Sequence, residues 1–190
     1  MRRGVLLAVA LCAFAQPVRA DEARPSATTL RAGLSGAWAG ALGYRDYQTN
    51  KLTELSVETR IDSVADGLTQ VRTSRFDEGP GRKPVWITTV SLDDPKSGTV
   101  TSATFRAGNK VETETEAVEV AQYASPTSWT LIYRQTGSDD DKPADIRVTE
   151  TRTGNALLSV KEVSPVGAGK WSFRNQTRLT RAAATTAPSL

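Results

Sequence analysis

From Ala37 to Arg181 polar and apolar residues alternate with a period of two, the spacing that sends successive side chains to opposite faces of an extended strand. Leu55, Val57, Thr59 and Ile61 interleave with Ser56, Glu58, Arg60 and Asp62. Val111, Thr113, Thr115 and Ala117 interleave with Glu112, Glu114 and Glu116. One face of each strand is then wet, as in antiparallel sheets; parallel strands covered by helices on both sides read as continuous apolar runs. The same rhythm recurs in Ala37–Tyr47, Leu68–Phe76, Val85–Leu92, Thr99–Arg106, Ser128–Gln135, Ile146–Thr153, Ala156–Val163 and Lys170–Arg181, which makes about ten strands. No helical stripe competes with them.

Turn chemistry punctuates these segments. Asp66-Gly67 and Gly108-Asn109 accept positive φ, and Asp94–Gly98 and Thr153-Gly154-Asn155 are turn clusters. Asp77–Lys83 and Gly137–Pro143, the latter with Asp139, Asp140 and Asp141, are longer and read as rim loops. Short links without helices protect strand edges by closure. The predicted fold is therefore an all-β, antiparallel up-and-down barrel of about 8–10 strands from Leu34 to Arg181, with a two-sheet β-sandwich as the alternative. Asp21–Gly33 is expected to be a mobile polar segment, and Ala182–Leu190, rich in Ala, Thr, Pro and Ser, a disordered tail.

Met1–Ala20 reads differently. Arg2 and Arg3 precede the apolar run Val5–Ala15, and Val18-Arg19-Ala20 ends in small or aliphatic residues, the layout of a secretory signal. The run is too short to span a bilayer, which takes about 20 residues, and no later segment is apolar for as long. An exported protein, periplasmic or secreted, is expected, with no membrane span. Cys12 continues the apolar run rather than ending it, which argues against lipidation, and cleavage after Ala20 removes the chain's single cysteine. Disulfides are then excluded, so the core alone must hold the domain.

Cleavage also alters the charge. Losing Arg2, Arg3 and Arg19 takes the 24 basic residues to 21, against 21 acidic ones. A chain without a net basic field is a poor partner for nucleic acid or anionic membrane. It has no histidine, so imidazole-based triads and most zinc and haem sites are unavailable. No pair of carboxylates is nominated for glycoside chemistry. The expectation is no enzyme and no cofactor.

Gly36-Ala37-Trp38 opens the first strand with Gly-x-Trp, and Trp171–Arg181 is a closing strand rich in basic residues. In this the chain resembles lipocalins and related barrels. With Trp38-x-Gly40-x-Leu42-x-Tyr44-Arg45-Asp46-Tyr47 and Asp77-Glu78-Gly79-Pro80-Gly81 it is similar to small exported lipocalin-like bacterial proteins of unassigned function. The resemblance implies that Trp38 sits at the closed end beneath an arginine from the last strand, Arg178 or Arg181. A cation–π contact of that kind contributes about 0.5–2 kcal/mol. It also implies no haem of the nitrobindin type, whose proximal histidine is missing here.

Trp86, Phe105, Trp129, Leu131, Tyr133, Trp171 and Phe173 lie on apolar-leaning faces and are expected to line one interior. Thr88, Thr113 and Thr115 are expected to face inward beside them and leave room. Tyr44 and Asp46 are either polar anchors inside the mouth or a core aromatic and an ion-paired acid. Arg174 and Arg178 invite comparison with the carboxylate anchors of fatty-acid carriers, but alternation sends them to solvent if Trp171 and Phe173 face in. The Asp139–Asp141 run lacks the ligand spacing of a calcium loop and reads as a hydrated turn.

The function expected is binding of a small apolar or amphipathic ligand. Tyr44, Trp86, Phe105, Trp129, Tyr133 and Phe173 would be the ligand-binding residues, and Trp38, Arg178 and Arg181 would close the barrel. Such a carrier calls for a void bounded by Trp129, Tyr133 and Phe105. The alternative is a protein-interaction module, an inhibitor or envelope accessory factor, using the Asp77–Lys83 rim loop on a filled barrel.

Overall fold

All ten alternating segments become strands, each antiparallel to the next in the chain. The computed structural model describes residues 24–45, 49 and 51–183. Its strands are β1 (Gly36–Arg45), β2 (Leu52–Ser63), β3 (Thr69–Asp77), β4 (Val85–Asp94), β5 (Thr99–Arg106), β6 (Glu112–Ser125), β7 (Ser128–Asp139), β8 (Lys142–Thr153), β9 (Ala156–Pro165) and β10 (Ser172–Arg181). The signal segment Met1–Ala20 with Cys12, the pair Asp46 and Tyr47, and the tail from Ala184 lie outside the described residues. β1 pairs with β10 from Trp38 opposite Arg181 to Tyr44 opposite Asn175. The ladder therefore has no free edge and closes as a ten-strand up-and-down barrel, which excludes the sandwich.

Turn chemistry acts where the sequence places it. Asp66 accepts bonds from the N–H groups of Leu68 and Thr69. Asp140 and Asp141 both adopt positive φ between the paired Asp139 and Lys142, a two-residue hairpin turn of the type that requires it. Arg174 holds this corner through Asp139 at 2.7 Å and Asp140 at 2.9 Å, so the aspartate run is a salt-bridged hairpin.

The expected mobile segment Asp21–Gly33 contains a helix instead, α1 (Ala27–Ala32), capped by the Ser26 hydroxyl accepting from the Thr29 N–H at 3.2 Å. Six residues are too few for a period of 3.6 to stand out. Packing stabilises α1, because Leu30 and Leu34 are buried with Trp38, Val57, Ile61, Val100, Trp129, Leu131, Leu157 and Leu179 in one core at this end of the barrel. Each fully buried Leu or Ile there contributes about 1.5–3 kcal/mol. This end is plugged. Inner-face Tyr44, Glu112 and Glu114 at the opposite end are exposed.

Residues directly opposite in an antiparallel ladder share a face, so register assigns the interior. Trp38, Thr59, Ser74, Ile87 and Arg106 follow one another inside β1 to β5. Leu179, Leu157, Arg152, Trp129 and Tyr123 do so inside β10 to β6.

Several inward expectations are corrected by this register. Trp86, opposite Arg75, and Phe105, opposite Thr88, lie on the outer wall, 55% and 44% exposed. Both faces of β4 carry apolar side chains, so alternation does not choose between them. The choice is made at the plugged end, where Ser91 and Asp93 meet Arg31 of α1. Phe173 is opposite Glu162 on the outer wall, and a bulge between Phe173 and Asn175 then reverses the register. Trp171 is also outside, beneath the Arg147 guanidinium at 4.2 Å.

In β6 the inner set is inverted. Glu112, Glu114 and Glu116 stand opposite Thr104, Ser102 and Val100, leaving Thr113 and Thr115 outside. Val118, Val120 and Tyr123, which pack on the core, fix that face. Counting back by twos from Val118 and Val120 brings in the glutamates, while a bulge between Val120 and Gln122 restores Tyr123 to the same face.

Candidate ligand-binding lumen

Arg181 of β10 stacks on the Trp38 indole at 4.5 Å. Its guanidinium donates to the Ser35 carbonyl at 2.6 Å and the Gly33 carbonyl at 3.0 Å, while the Trp38 indole N–H donates to the Leu34 carbonyl at 2.8 Å. Of the two candidate arginines, Arg181 therefore closes the barrel. Arg178, opposite Ala41 and Leu158, points outward and pairs with Glu54. Trp129 is buried in the same plug, its N–H donating to the Pro126 carbonyl at 3.1 Å.

Above the plug the lumen is not filled. One chamber of about 180 Å³ is lined by Arg31, Gln70, Ser91, Val100, Glu116, Tyr133 and Val148 among others. A second, of about 190 Å³, is lined by Val57, Phe76, Ile87, Leu157, Thr177 and Leu179 among others. Arg72, Thr89, Glu150 and Ser159 belong to both. Polar side chains dominate the lining of the first chamber; the second sets five apolar side chains, Val57, Phe76, Ile87, Leu157 and Leu179, among seven polar ones and is the more apolar of the two.

The wall between them is an ion pair. The Arg72 guanidinium donates to Glu150 Oε2 at 3.4 Å, with Glu150 5% and Arg72 32% exposed at the side chain. The Tyr133 hydroxyl donates to Glu150 Oε1 at 3.5 Å. Behind Tyr133, the Arg31 guanidinium lies 5.9 Å from the ring centroid; it donates to Asp93 at 3.1 Å and to Ser91 Oγ at 2.7 Å. Gln70 donates to the Arg31 carbonyl at 2.9 Å. The polar chamber is thus crossed by a chain running from Asp93 through Arg31, Tyr133 and Glu150 to Arg72.

Burial sets the protonation of these groups. It pushes the Tyr133 hydroxyl far above the usual tyrosine range, with Glu150 adding to the effect, so the phenol stays a donor. Burial also raises Asp93, against the downward pull of Arg31. Glu116 is raised by burial and then by Glu114, while Arg31 and Lys161 pull it down.

Of the six residues expected to bind ligand, Tyr133 alone lines a chamber. Tyr44 is on the inner face near the mouth, Trp129 is in the plug, and Trp86, Phe105 and Phe173 are on the outer wall. The void expected between Trp129, Tyr133 and Phe105 is replaced by the two chambers around Arg72 and Glu150.

Sequence reasoning missed Arg31, Gln70, Arg72, Glu116 and Glu150. In β8 a usable signal exists: Ile146, Val148, Glu150 and Arg152 share a face, and charges on an otherwise apolar face mark a polar lumen. β3 offers none, because both of its faces are polar. Among the described residues no group of three His, Cys, Asp or Glu side chains is placed to hold a metal ion. Among them, too, no helix is long and apolar enough to cross a membrane.

No family model and no curated protein matches the chain. Among solved structures, the crystal structure of Rv2717c from M. tuberculosis is similar, with a TM-score of 0.56 at 18% identity, covering 84% of this chain and 100% of that one. The likeness is one of fold.

Proposed function

We propose that this barrel is an exported, lipocalin-like container that holds one small amphipathic molecule in its lumen and performs no chemistry on it. The observation that carries the reading is the pair of chambers joined at Arg72 and Glu150, one lined mostly by polar side chains and the other holding five apolar ones. An apolar portion of the ligand is buried among Val57, Phe76, Ile87, Leu157 and Leu179, gaining about 25 cal/mol per Å² removed from water. A few polar groups then fix its orientation. The expected ligand is smaller and more polar than a fatty acid, because the lumen is divided by the Arg72–Glu150 pair and lined by many polar side chains. Export is supported by the layout of Met1–Ala20, and binding without catalysis by the absence of imidazole from the chain.

A second reading has its own observation. The Asp77–Lys83 loop overhangs a cleft of about 680 Å³ bounded by Glu54, Arg75, Glu78 and Pro80 among others, and the exposed Trp86 lies on the outer wall nearby. That is a surface for a protein partner.

Native mass spectrometry of the protein purified from its source separates the two. A small bound mass that solvent extraction removes, with amide shifts at Tyr133, Glu150 and Leu157 when it is returned, is the expected result. A macromolecular partner with no small mass, and shifts confined to Glu78, Arg82 and Trp86, overturns the container in favour of the rim. Fractionation tests export: the mature chain beginning at Asp21 is expected outside the cytoplasm.

A further inference from the structure

We infer that the lumen recognises its ligand through an edge that presents a hydrogen-bond donor beside an acceptor, as in a cyclic amide, with Glu150 taking the donor and Arg72 the acceptor. The inference rests on the container reading and narrows it to a ligand class.

It starts from the state of Glu150. The carboxylate is 5% exposed, yet its two contacts, from Tyr133 at 3.5 Å and Arg72 at 3.4 Å, are at the limit of hydrogen bonding. Charge-assisted bonds ordinarily close to about 2.7–2.9 Å, and a carboxylate accepts about four. A carboxylate out of water with only stretched partners carries a desolvation penalty that a better donor relieves. It also faces empty space on both sides, since both chambers are lined by it. Arg72 is less buried, 32% exposed at the side chain, but is also sparsely bonded. That carboxylate engages one N–H of its guanidinium, which carries five donors in all.

Charge then weighs against the simpler ligands. Arg31 is answered by Asp93 and Arg72 by Glu150, so neither sign is in surplus on these pairs. An anionic head would displace Glu150 from Arg72 while facing Glu116. A cationic head would gain Glu116 but would sit between Arg72 and Arg31. A neutral group with donor and acceptor side by side adds an ordinary hydrogen bond to each of Glu150 and Arg72 while leaving the two opposite charges beside each other. Size agrees, because a cavity of about 150 Å³ admits benzene, and each chamber is slightly larger. A single ring fits beside Tyr133, with a small apolar substituent in the second chamber.

The test uses four ring-sized probes on the full mature chain: 2-pyridone, a flat lactam with N–H beside C=O, and benzoate, benzylamine and benzene. Binding is read by amide shifts at Tyr133, Glu150 and Leu157 and by titration calorimetry. The expected result is that 2-pyridone binds in the lumen at least tenfold more tightly than each of the others. Glu150→Gln and Arg72→Met each weaken it at least tenfold, while the near-ultraviolet circular dichroism of Trp38 and Trp129 in the plug stays that of the parent and shows that both variants fold. Tighter binding of benzoate, benzylamine or benzene overturns this inference and leaves the container intact. Silence from all four probes at the inner face overturns both.

Discussion

Arg72 and Glu150 meet in the lumen from β3 and β8, strands five places apart in a ring of ten and so diametrically opposed. The pair is a crossbar that ties opposite walls and divides the interior. Arg72→Met leaves the Glu150 carboxylate buried with Tyr133 alone, and the expected cost is about 1–3 kcal/mol. Replacing both partners, Arg72→Met with Glu150→Leu, is expected to restore most of that loss, because no buried charge is left uncompensated. Urea unfolding of the four members of the cycle measures the coupling. Additive losses would mean that the two side chains do not depend on each other.

The closed end makes a contrast between two arginines of the same strand. Arg181 covers Trp38 and satisfies the carbonyls of Ser35 and Gly33, whereas Arg178 makes an exposed pair with Glu54. Arg181→Met is expected to cost about 1–3 kcal/mol through two deprived acceptors. Arg178→Met should cost below about 1 kcal/mol, the usual value of a surface ion pair. Thermal unfolding of both variants checks the ranking, and equal losses would remove Arg181 from its role as the plug.

Strand existence was legible because alternation is a backbone property: all ten segments are strands, and closure was the simplest cover for their edges, with a two-sheet sandwich as the alternative until the β1–β10 pairing decided it. Facing was less legible. On β2 the reading was right, since Val57 and Ile61 are apolar and their neighbours Glu58, Arg60 and Asp62 are charged. On β6 the threonines looked drier than the glutamates, but the face was decided by Val118 and Val120 farther along, and near the open mouth Glu112 and Glu114 remain wet while facing in. On β10 one extra residue at Arg174 separated Phe173 from the inner set that Leu179 anchors. The polar site was hidden for a related reason. Its groups come from α1, β3, β4, β6, β7 and β8, and a two-residue rhythm within one strand carries no information about what stands across the ring.

Seam closure depends on Gly40. A Cβ built there lies 1.9 Å from the Arg178 carbonyl oxygen, because Gly40 stands opposite Leu179 where β1 and β10 approach closely. Gly40→Ala must therefore push the two strands apart and is expected to abolish the cooperative melt or lower it severely. At Gly43 a Cβ meets only the Leu52 side chain at 3.3 Å, so Gly43→Ala should fold with a modest loss. The melting curves and the Trp38 environment, read by near-ultraviolet circular dichroism, distinguish them. A well-folded Gly40→Ala protein would contradict the seam.

Stability should also respond to pH through Glu116. Burial holds its folded-state pKa above the usual glutamate range, so the folded protein binds this proton more tightly than the unfolded chain does. The stabilisation from that proton is complete below the unfolded-state value, about 4.3, and is lost as pH rises through the raised folded value. Glu116→Gln carries no such proton. Its stability relative to the parent should therefore be lowest near pH 4 and shift in the variant's favour toward pH 7. Asp93, raised by burial in the same sense, and Asp66 and Asp94, lowered by turn hydrogen bonds in the opposite sense, are common to both proteins and drop out of the difference. Urea unfolding at pH 4, 5.5 and 7 reads it directly. A difference that is flat across this range, or that favours the parent at neutral pH, would show that Glu116 does not face the desolvated chamber beside Tyr133.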